Sequence, residues 1–200
     1  IPAAPPEIGF DYNFEDLDTS ADIELGGTAS VVSHNGLTNF TVAAVSDHNN
    51  NTTRNAVQAT SWADDNNGYT LTSNYMEFTF TPEAGGIDMD SIFIRALTST
   101  QTGTNSLQVR YSFDGGSTFT VAGDTGDMSY LWQSNEPGWT FALNNEDIGN
   151  DLTTSPVIFR LDGQTRFQND TTWLALDDIR VTGEVVPEPA TLGLLLLGGL

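Results

Sequence analysis

Residues Leu107 to Val121 read LQVRYSFDGGSTFTV. Leu107, Val109, Tyr111 and Phe113 occupy one side of a period-two pattern, and Gln108, Arg110 and Ser112 the other. Alternation at that period is the signature of a half-buried strand, with the apolar set inward and the polar set outward. Asp114-Gly115-Gly116-Ser117 then supplies turn residues, and the chain returns through Thr118–Val121, so the stretch predicts a tight β-hairpin. The same period recurs on either side of it. Met76, Phe78 and Phe80 alternate with Tyr75, Glu77 and Thr79. In Ser91–Leu97 both faces are partly apolar, which places that strand centrally. Near the start, Phe10, Tyr12 and Phe14 alternate. Shorter strands are predicted at Ala29–Ser33 and Phe40–Val45, flanking the turn Asn35-Gly36, and at Ala56–Trp62, Trp139–Leu143, Val157–Leu161 and Trp173–Val181. Glu146–Leu152 reads as one helical turn. Strands punctuated by turn signals about every ten residues, with little helix, predict an all-β fold: an antiparallel β-sandwich or jelly roll.

The chain divides into a Pro-rich arm (1–7), the sandwich (8–183), and a C-terminal segment (184–200) that ends in an apolar tail. Its 200 residues can bury a sizeable core without staples. There is no cysteine, which excludes disulfides and thiolate metal sites. The formal net charge is −21, and all six basic residues are arginine. Such a surface repels nucleic acid and anionic membranes and suits cations or neutral sugars. The opening residues, IPAAPP, resemble the first residues of a mature chain after removal of a signal peptide, so an exported, extracellular protein is expected.

Catalytic signals are sparse. His34 and His48 lie in polar loops, and no nucleophile elbow, zinc-type histidine spacing or phosphate loop is present. Glu77, mid-strand among aromatics, is the one candidate for an acid/base role, against the plainer reading of an outward strand residue. A non-catalytic protein is expected. Asp177 and Asp178 sit in the last strand, and strict alternation points one of them inward beside Ile179 and Val181. A buried carboxylate must be paired or bound to metal. With Glu15 and Asp16 the two form a candidate Ca²⁺ site; alternatively the inward acid pairs with Arg160 or Arg166. Asp64-Asp65-Asn66-Asn67-Gly68 and Asp47–Asn51 have the composition of cation loops without EF-hand spacing. Trp62, Trp132 and Trp139 lie near polar loops, where an indole can stack on a sugar ring or simply lid the core.

The tail carries a resemblance. Pro187-Glu188-Pro189 precedes an uncharged apolar run, Ala190–Leu200, that includes Leu194, Leu195, Leu196 and Leu197. The prolines break any helix or central strand, and the run falls short of the roughly 20 residues of a membrane-spanning helix. It resembles the PEP-CTERM sorting signal of exported bacterial proteins, matching the motif and the first half of its hydrophobic helix. That resemblance implies handling at the membrane and an address at the cell surface, often alongside exopolysaccharide. An apolar tail also has to be buried somewhere. Seating on a neighbouring subunit by strand addition would give a homo-oligomer or filament. Separately, Phe14-Glu15, Ser112-Phe113-Asp114-Gly115-Gly116 and Leu176-Asp177-Asp178-Ile179-Arg180-Val181 with Gly183 resemble the jelly-roll modules of extracellular adhesins and carbohydrate-binding domains. That likeness implies neighbouring first and last strands and a structural calcium near Asp177. The functional expectation is a structural or adhesive matrix protein, self-assembling through its termini. The alternative is a module that binds exopolysaccharide.

Overall fold

The computed structural model describes residues 7–25, 27–46, 53–64, 74–83, 87–98, 106–126, 128, 138–143, 155–165 and 173–185. These hold fourteen strands and no helix. In chain order they are β1 (Glu7–Tyr12), β2 (Ile23–Glu24), β3 (Gly27–Ala29), β4 (Ser33–Asn35), β5 (Thr38–Ser46), β6 (Thr53–Thr60) and β7 (Ala63–Asp64), then β8 (Tyr75–Pro82), β9 (Ile87–Thr98), β10 (Ser106–Ser112), β11 (Thr120–Asp124), β12 (Trp139–Ala142), β13 (Val157–Thr165) and β14 (Leu174–Val185). Two seven-stranded sheets form the sandwich. Sheet A runs β12-β9-β14-β1-β2, with the β5–β6 hairpin joined to β14 through β6. Sheet B runs β11-β10-β13-β8-β3, with β4 on β8 and β7 on β13. All pairs are antiparallel except β7 with β13. The first and last strands are neighbours, as the resemblance implied.

Alternation builds the core. Phe10 and Tyr12 from sheet A meet Met76, Phe78 and Phe80 of β8 and Phe159 of β13, all within 1 % of full burial. Phe10 stacks on Phe80 at 5.1 Å and meets Phe78 edge-on at 5.6 Å, and Phe78 stacks on Phe159 at 5.1 Å. Such pairs contribute about 0.5–1.5 kcal/mol each beyond area burial and join the two sheets directly. The Tyr12 hydroxyl donates to the Ser30 carbonyl, so its polar end is satisfied. Desolvation pushes that phenol above its ordinary range.

The predicted hairpin is present. Asp114 Oδ1 accepts from Ser112 Oγ (2.7 Å) and from the Thr118 amide (2.9 Å), and Thr118 Oγ1 donates to Oδ2 (2.6 Å). These bonds, led by that from the Thr118 hydroxyl, hold the carboxyl well below the usual carboxylate range. Gly115 and Gly116, at φ 72° and 88°, take the left-handed positions the turn requires.

Three expectations change. β6 starts at Thr53, ahead of the predicted Ala56, and ends at Thr60, short of the predicted Trp62. Trp62 follows Ser61, whose φ of 64° turns the chain from sheet A toward β7 in sheet B. β14 continues past Gly183 to Val185. Glu146–Leu152, Asp47–Asn51, 65–68 and the tail from Pro187 to Leu200 lie outside the described residues. Among those described, no helix is long and apolar enough to cross a membrane.

Candidate functional site

Strand β13 decides where chemistry collects. Val157, Phe159 and Leu161 face the core, and the next inward slot falls to Gly163. A Cβ there would stand 2.4 Å from Trp62 Cε3 and 2.6 Å from Leu174 Cδ1, so only glycine fits. The alternate residues Arg160, Asp162 and Gln164 are thereby set on the outer face of sheet B. Register aligns Gln108, Asp162 and Tyr75 in one row across β10, β13 and β8, and Arg110, Arg160 and Glu77 in the next.

Within the second row, Arg160 and Glu77 satisfy each other. Arg160 Nε donates to Glu77 Oε2 at 2.7 Å. Its guanidinium carbon lies 4.1 Å from the Tyr75 ring centroid and 4.2 Å from that of Phe119. Arg160 is therefore held between two aromatic faces and an acid, a cation–π arrangement. Glu77, the one sequence candidate for acid/base work, is occupied by this ion pair.

The first row is not self-contained. Asp162 is 2 % exposed and Gln164 6 % exposed. Neither carboxylate oxygen of Asp162, nor the Gln164 amide nitrogen, has a hydrogen-bond partner in the protein. Arg110 Nε approaches Asp162 Oδ2 to 3.3 Å, but its hydrogen goes to Gln108 Oε1 at 2.6 Å. Burial pushes the Asp162 carboxyl up to about 6, with Arg110 and Arg160 pulling it back only in part. The arrangement combines an acceptor-only carboxylate, a free amide donor and flanking aromatic side chains on one sheet face. It can receive groups that both donate and accept hydrogen bonds, as hydroxyls do.

The outer face of sheet A accounts for the four proposed calcium ligands. Strict alternation fails at Asp177. A β-bulge between Leu176 and Ile179 adds a residue opposite β9, so Leu176 and Ile179 both face the core. Asp177 and Asp178 then both turn outward to Arg95, whose strand neighbours Ile94 and Ala96 are core. The bulge falls where the other edge of β14 changes partner, from β6 at Leu174–Leu176 to β1 from Ile179 onward. Arg54 reaches Asp177 Oδ2 from β6 at 3.0 Å, Arg95 reaches it from β9 at 3.0 Å, and Arg95 also meets Asp178 Oδ2 at 2.7 Å. The partners of Asp177 are thus Arg54 and Arg95. Arg160 belongs to Glu77, and Arg166 lies outside the described residues. Burial first, and then the charge of Asp178, raise the Asp177 carboxyl above its ordinary value, while the two arginines oppose this. Glu15 and Asp16 are exposed in the turn after β1, and Glu15 meets the Asn55 amide. Among the described residues no three His, Asp or Glu side chains are placed to hold a metal ion. The four acids do not fit a Ca²⁺ cage, because guanidiniums already neutralise the buried one.

The tryptophans are also redistributed. Trp62 is 1 % exposed and donates Nε1 to the Ala59 carbonyl at 2.8 Å. It lids the core and offers no ring face to a sugar. Trp139, half-buried on β12, packs against the core from the sheet edge. Trp132 lies outside the described residues. The residues that sequence reasoning passed over are Asp162 and Gln164. Their signal was the continuation of the Val157-Phe159-Leu161 alternation through Gly163.

Fold and face together define an all-β sandwich with one incompletely satisfied polar sheet face. No protein-family model matches the chain, and no curated protein matches it. Among solved structures, it is similar to the CBM22-1–GH10 modules of the Clostridium thermocellum N-terminal endo-1,4-β-D-xylanase 10B complexed with xylohexaose, at 12 % identity and TM-score 0.48, covering 90 % of this chain and 29 % of that one. It is similar to the xylan-binding module CBM15 at 10 % identity and TM-score 0.43, covering 78 % and 99 %. The K3 cleaved adhesin domain of Lys-gingipain from Porphyromonas gingivalis matches at 14 % identity and TM-score 0.42, covering 88 % and 99 %. The chain spans under a third of the xylanase chain it matches.

Proposed function

We propose that this chain is a non-catalytic extracellular β-sandwich that binds a neutral polysaccharide through the outer face of sheet B. One observation carries the reading: the protein keeps Asp162 buried without a hydrogen bond, at a cost to its own stability, beside the unpaired amide of Gln164. A buried polar group left unsatisfied costs about 1–3 kcal/mol, more if charged. Buried polar groups left without partners call for an explanation, and perturbed titratable groups cluster at functional sites. Sugar hydroxyls supply both missing partners. Each of the two flanking arginines has an acid beside it, and the net charge of −21 disfavours polyanions. Holding a polysaccharide at the surface or in the matrix is itself an adhesive role. The surface placement, bacterial sorting included, is proposed with it and rests on the resemblance at Pro187-Glu188-Pro189. Affinity electrophoresis in gels containing neutral polysaccharides, xylan and mixed-linkage glucan among them, tests the reading. Retarded migration that is lost in Gln164→Leu is expected; unretarded migration in every neutral gel would remove it.

A further inference from the structure

We infer that Arg160 is a solvent-reachable sugar contact on the outer face of sheet B: its two terminal amino groups form a fork for a pair of adjacent ring hydroxyls, and Glu77 accepts a hydrogen from one of them. This fork rests on the polysaccharide-binding reading above and adds a specificity-determining contact to it. The Arg160–Glu77 ion pair uses only Nε of one side chain and Oε2 of the other. Neither amino group of Arg160 makes a hydrogen bond within the protein, nor does Oε1 of Glu77, and unlike the oxygens of Asp162 these atoms are not sealed from solvent. The two side chains are 22 % and 26 % exposed.

The fork is held in place before any ligand arrives. Tyr75 and Phe119, both half-buried, cover the guanidinium at 4.1 and 4.2 Å and leave its edge as the open side. Phe119 is positioned by the Asp114 hairpin. Thr118, the residue before it, is bonded to the Asp114 carboxylate through both its amide and its hydroxyl. The turn packs close beneath the ring: a Cβ on Gly116 would lie 3.8 Å from Phe119 Cζ and 3.4 Å from Ile158 Cδ1. An arginine whose plane is already fixed loses little further freedom on binding. Its edge presents two parallel N–H donors. Neighbouring hydroxyl oxygens on a sugar ring are close enough together for each to accept one of them. A hydroxyl that accepts still has its own hydrogen to donate, and Glu77 Oε1 takes it. A ligand carboxylate also matches such a fork, but here it would stand beside Glu77 on a chain of net charge −21, which favours the neutral diol.

Calorimetric titration of the full chain with three oligosaccharides tests this. Xylohexaose has adjacent free hydroxyls on carbons two and three of its inner units. Laminarihexaose, a β-1,3-linked glucan, has no such pair on its inner units. The third ligand is a xylo-oligosaccharide carrying a glucuronic acid side group. Wild type is expected to bind laminarihexaose roughly tenfold more weakly than xylohexaose, and to gain nothing from the acid group. Arg160→Lys keeps a cation between the rings but loses the fork, and is expected to bind xylohexaose roughly tenfold or more weakly. Glu77→Gln can still accept from Arg160 Nε but places an amide nitrogen where the acceptor oxygen stood, and is expected to weaken binding several-fold. Arg180→Lys makes the same arginine change on sheet A and is expected to bind as wild type. Circular dichroism establishes that each variant is folded before it is titrated, and the wild-type selectivity needs no variant. Undiminished xylohexaose affinity in Arg160→Lys or Glu77→Gln, equal affinity for laminarihexaose, or tighter binding of the glucuronic acid ligand would overturn the fork while leaving the polysaccharide reading standing. Absence of wild-type binding to any neutral glycan would overturn both.

Discussion

The outer faces of the two sheets carry the same residue types and use them in opposite ways. On sheet A, Asp177 and Asp178 are drawn to one side by a bulge and met by Arg54 and Arg95. Nearby Asp11 pairs with Arg180 at 3.5 Å. Single atoms there lack partners (Asp11 Oδ1, the Nε of Arg54 and of Arg180), but each of those side chains is engaged through another atom. On sheet B, Asp162 is as deeply buried as Asp177, yet neither of its oxygens accepts a hydrogen bond. Gln108 takes the Arg110 hydrogen that would have served it. One face is closed by its own ion pairs and pins β1, β6, β9 and β14 at a change of strand partner. The other keeps buried polar atoms that its own side chains leave without hydrogen bonds. A buried acid by itself therefore says little about function; how fully it is satisfied separates a structural knot from a site.

Mutation can collapse this contrast, most severely on sheet A. Asp177→Ala takes the acid from Arg54 and leaves Arg95 with Asp178 alone, and removal of one member of a buried pair costs about 3–5 kcal/mol. Because Arg54 and Arg95 are partly exposed, the lower end is expected, read as a fall in urea midpoint. Asp162→Asn should act with the opposite sign. Its folded value is raised from 3.8 to about 6, so the native state binds the proton more tightly than the unfolded chain. Stability contributed by this group is thus present at low pH and declines as pH rises from about 4 to about 6. The asparagine variant should be more stable than wild type at pH 7, by roughly 3 kcal/mol at most, with the difference vanishing toward pH 4. If Asp162→Asn destabilises at pH 7 as Asp177→Ala does, the two faces are alike and the contrast fails.

Smaller effects refine it. Gly163→Ala drives a methyl into Trp62 and should cost about 1–3 kcal/mol by thermal melting, weakening ligand binding as well because it shifts the strand that presents Asp162. Arg160→Lys keeps the charge but loses the planar stack between Tyr75 and Phe119, and should cost about 0.5–1 kcal/mol. Chelation by EDTA should leave the melting temperature unchanged, since arginines rather than a cation neutralise Asp177; a fall of several degrees would show that a metal holds this face.

Much of the architecture was legible in period two. The hairpin at Asp114–Ser117 and the inward sets of β8 and β10 follow from alternation, because one-sided burial forces it, and the central position of β9 follows from its two partly apolar faces. What escaped did so where alternation is locally broken. The bulge at Asp177–Asp178 inserts a residue, and no sequence pattern reports an insertion that depends on two other strands. Gly163 ended the apparent run of β13 at Leu161, because an inward glycine looks like a turn; its reason is Trp62, a hundred residues earlier in the chain. Arg110 read as outward-facing, and on that outer face it is buried, with Asp162 and Gln108 beside it. Trp62 read as either a sugar platform or a core lid, and its ring closes the core. The ligand-facing pair was thus hidden by the same glycine that positions it.

The proposal that sheet B binds a neutral polysaccharide through Asp162 and Gln164 stands or falls on one titration. Xylohexaose and cellohexaose are titrated calorimetrically at pH 8 into the wild-type chain, Asp162→Asn and Gln164→Leu. One-site binding by wild type is expected, with at least a tenfold loss in either variant and with Asp162→Asn no less stable than wild type. Equal binding by all three proteins, or no binding by wild type, would refute the proposal.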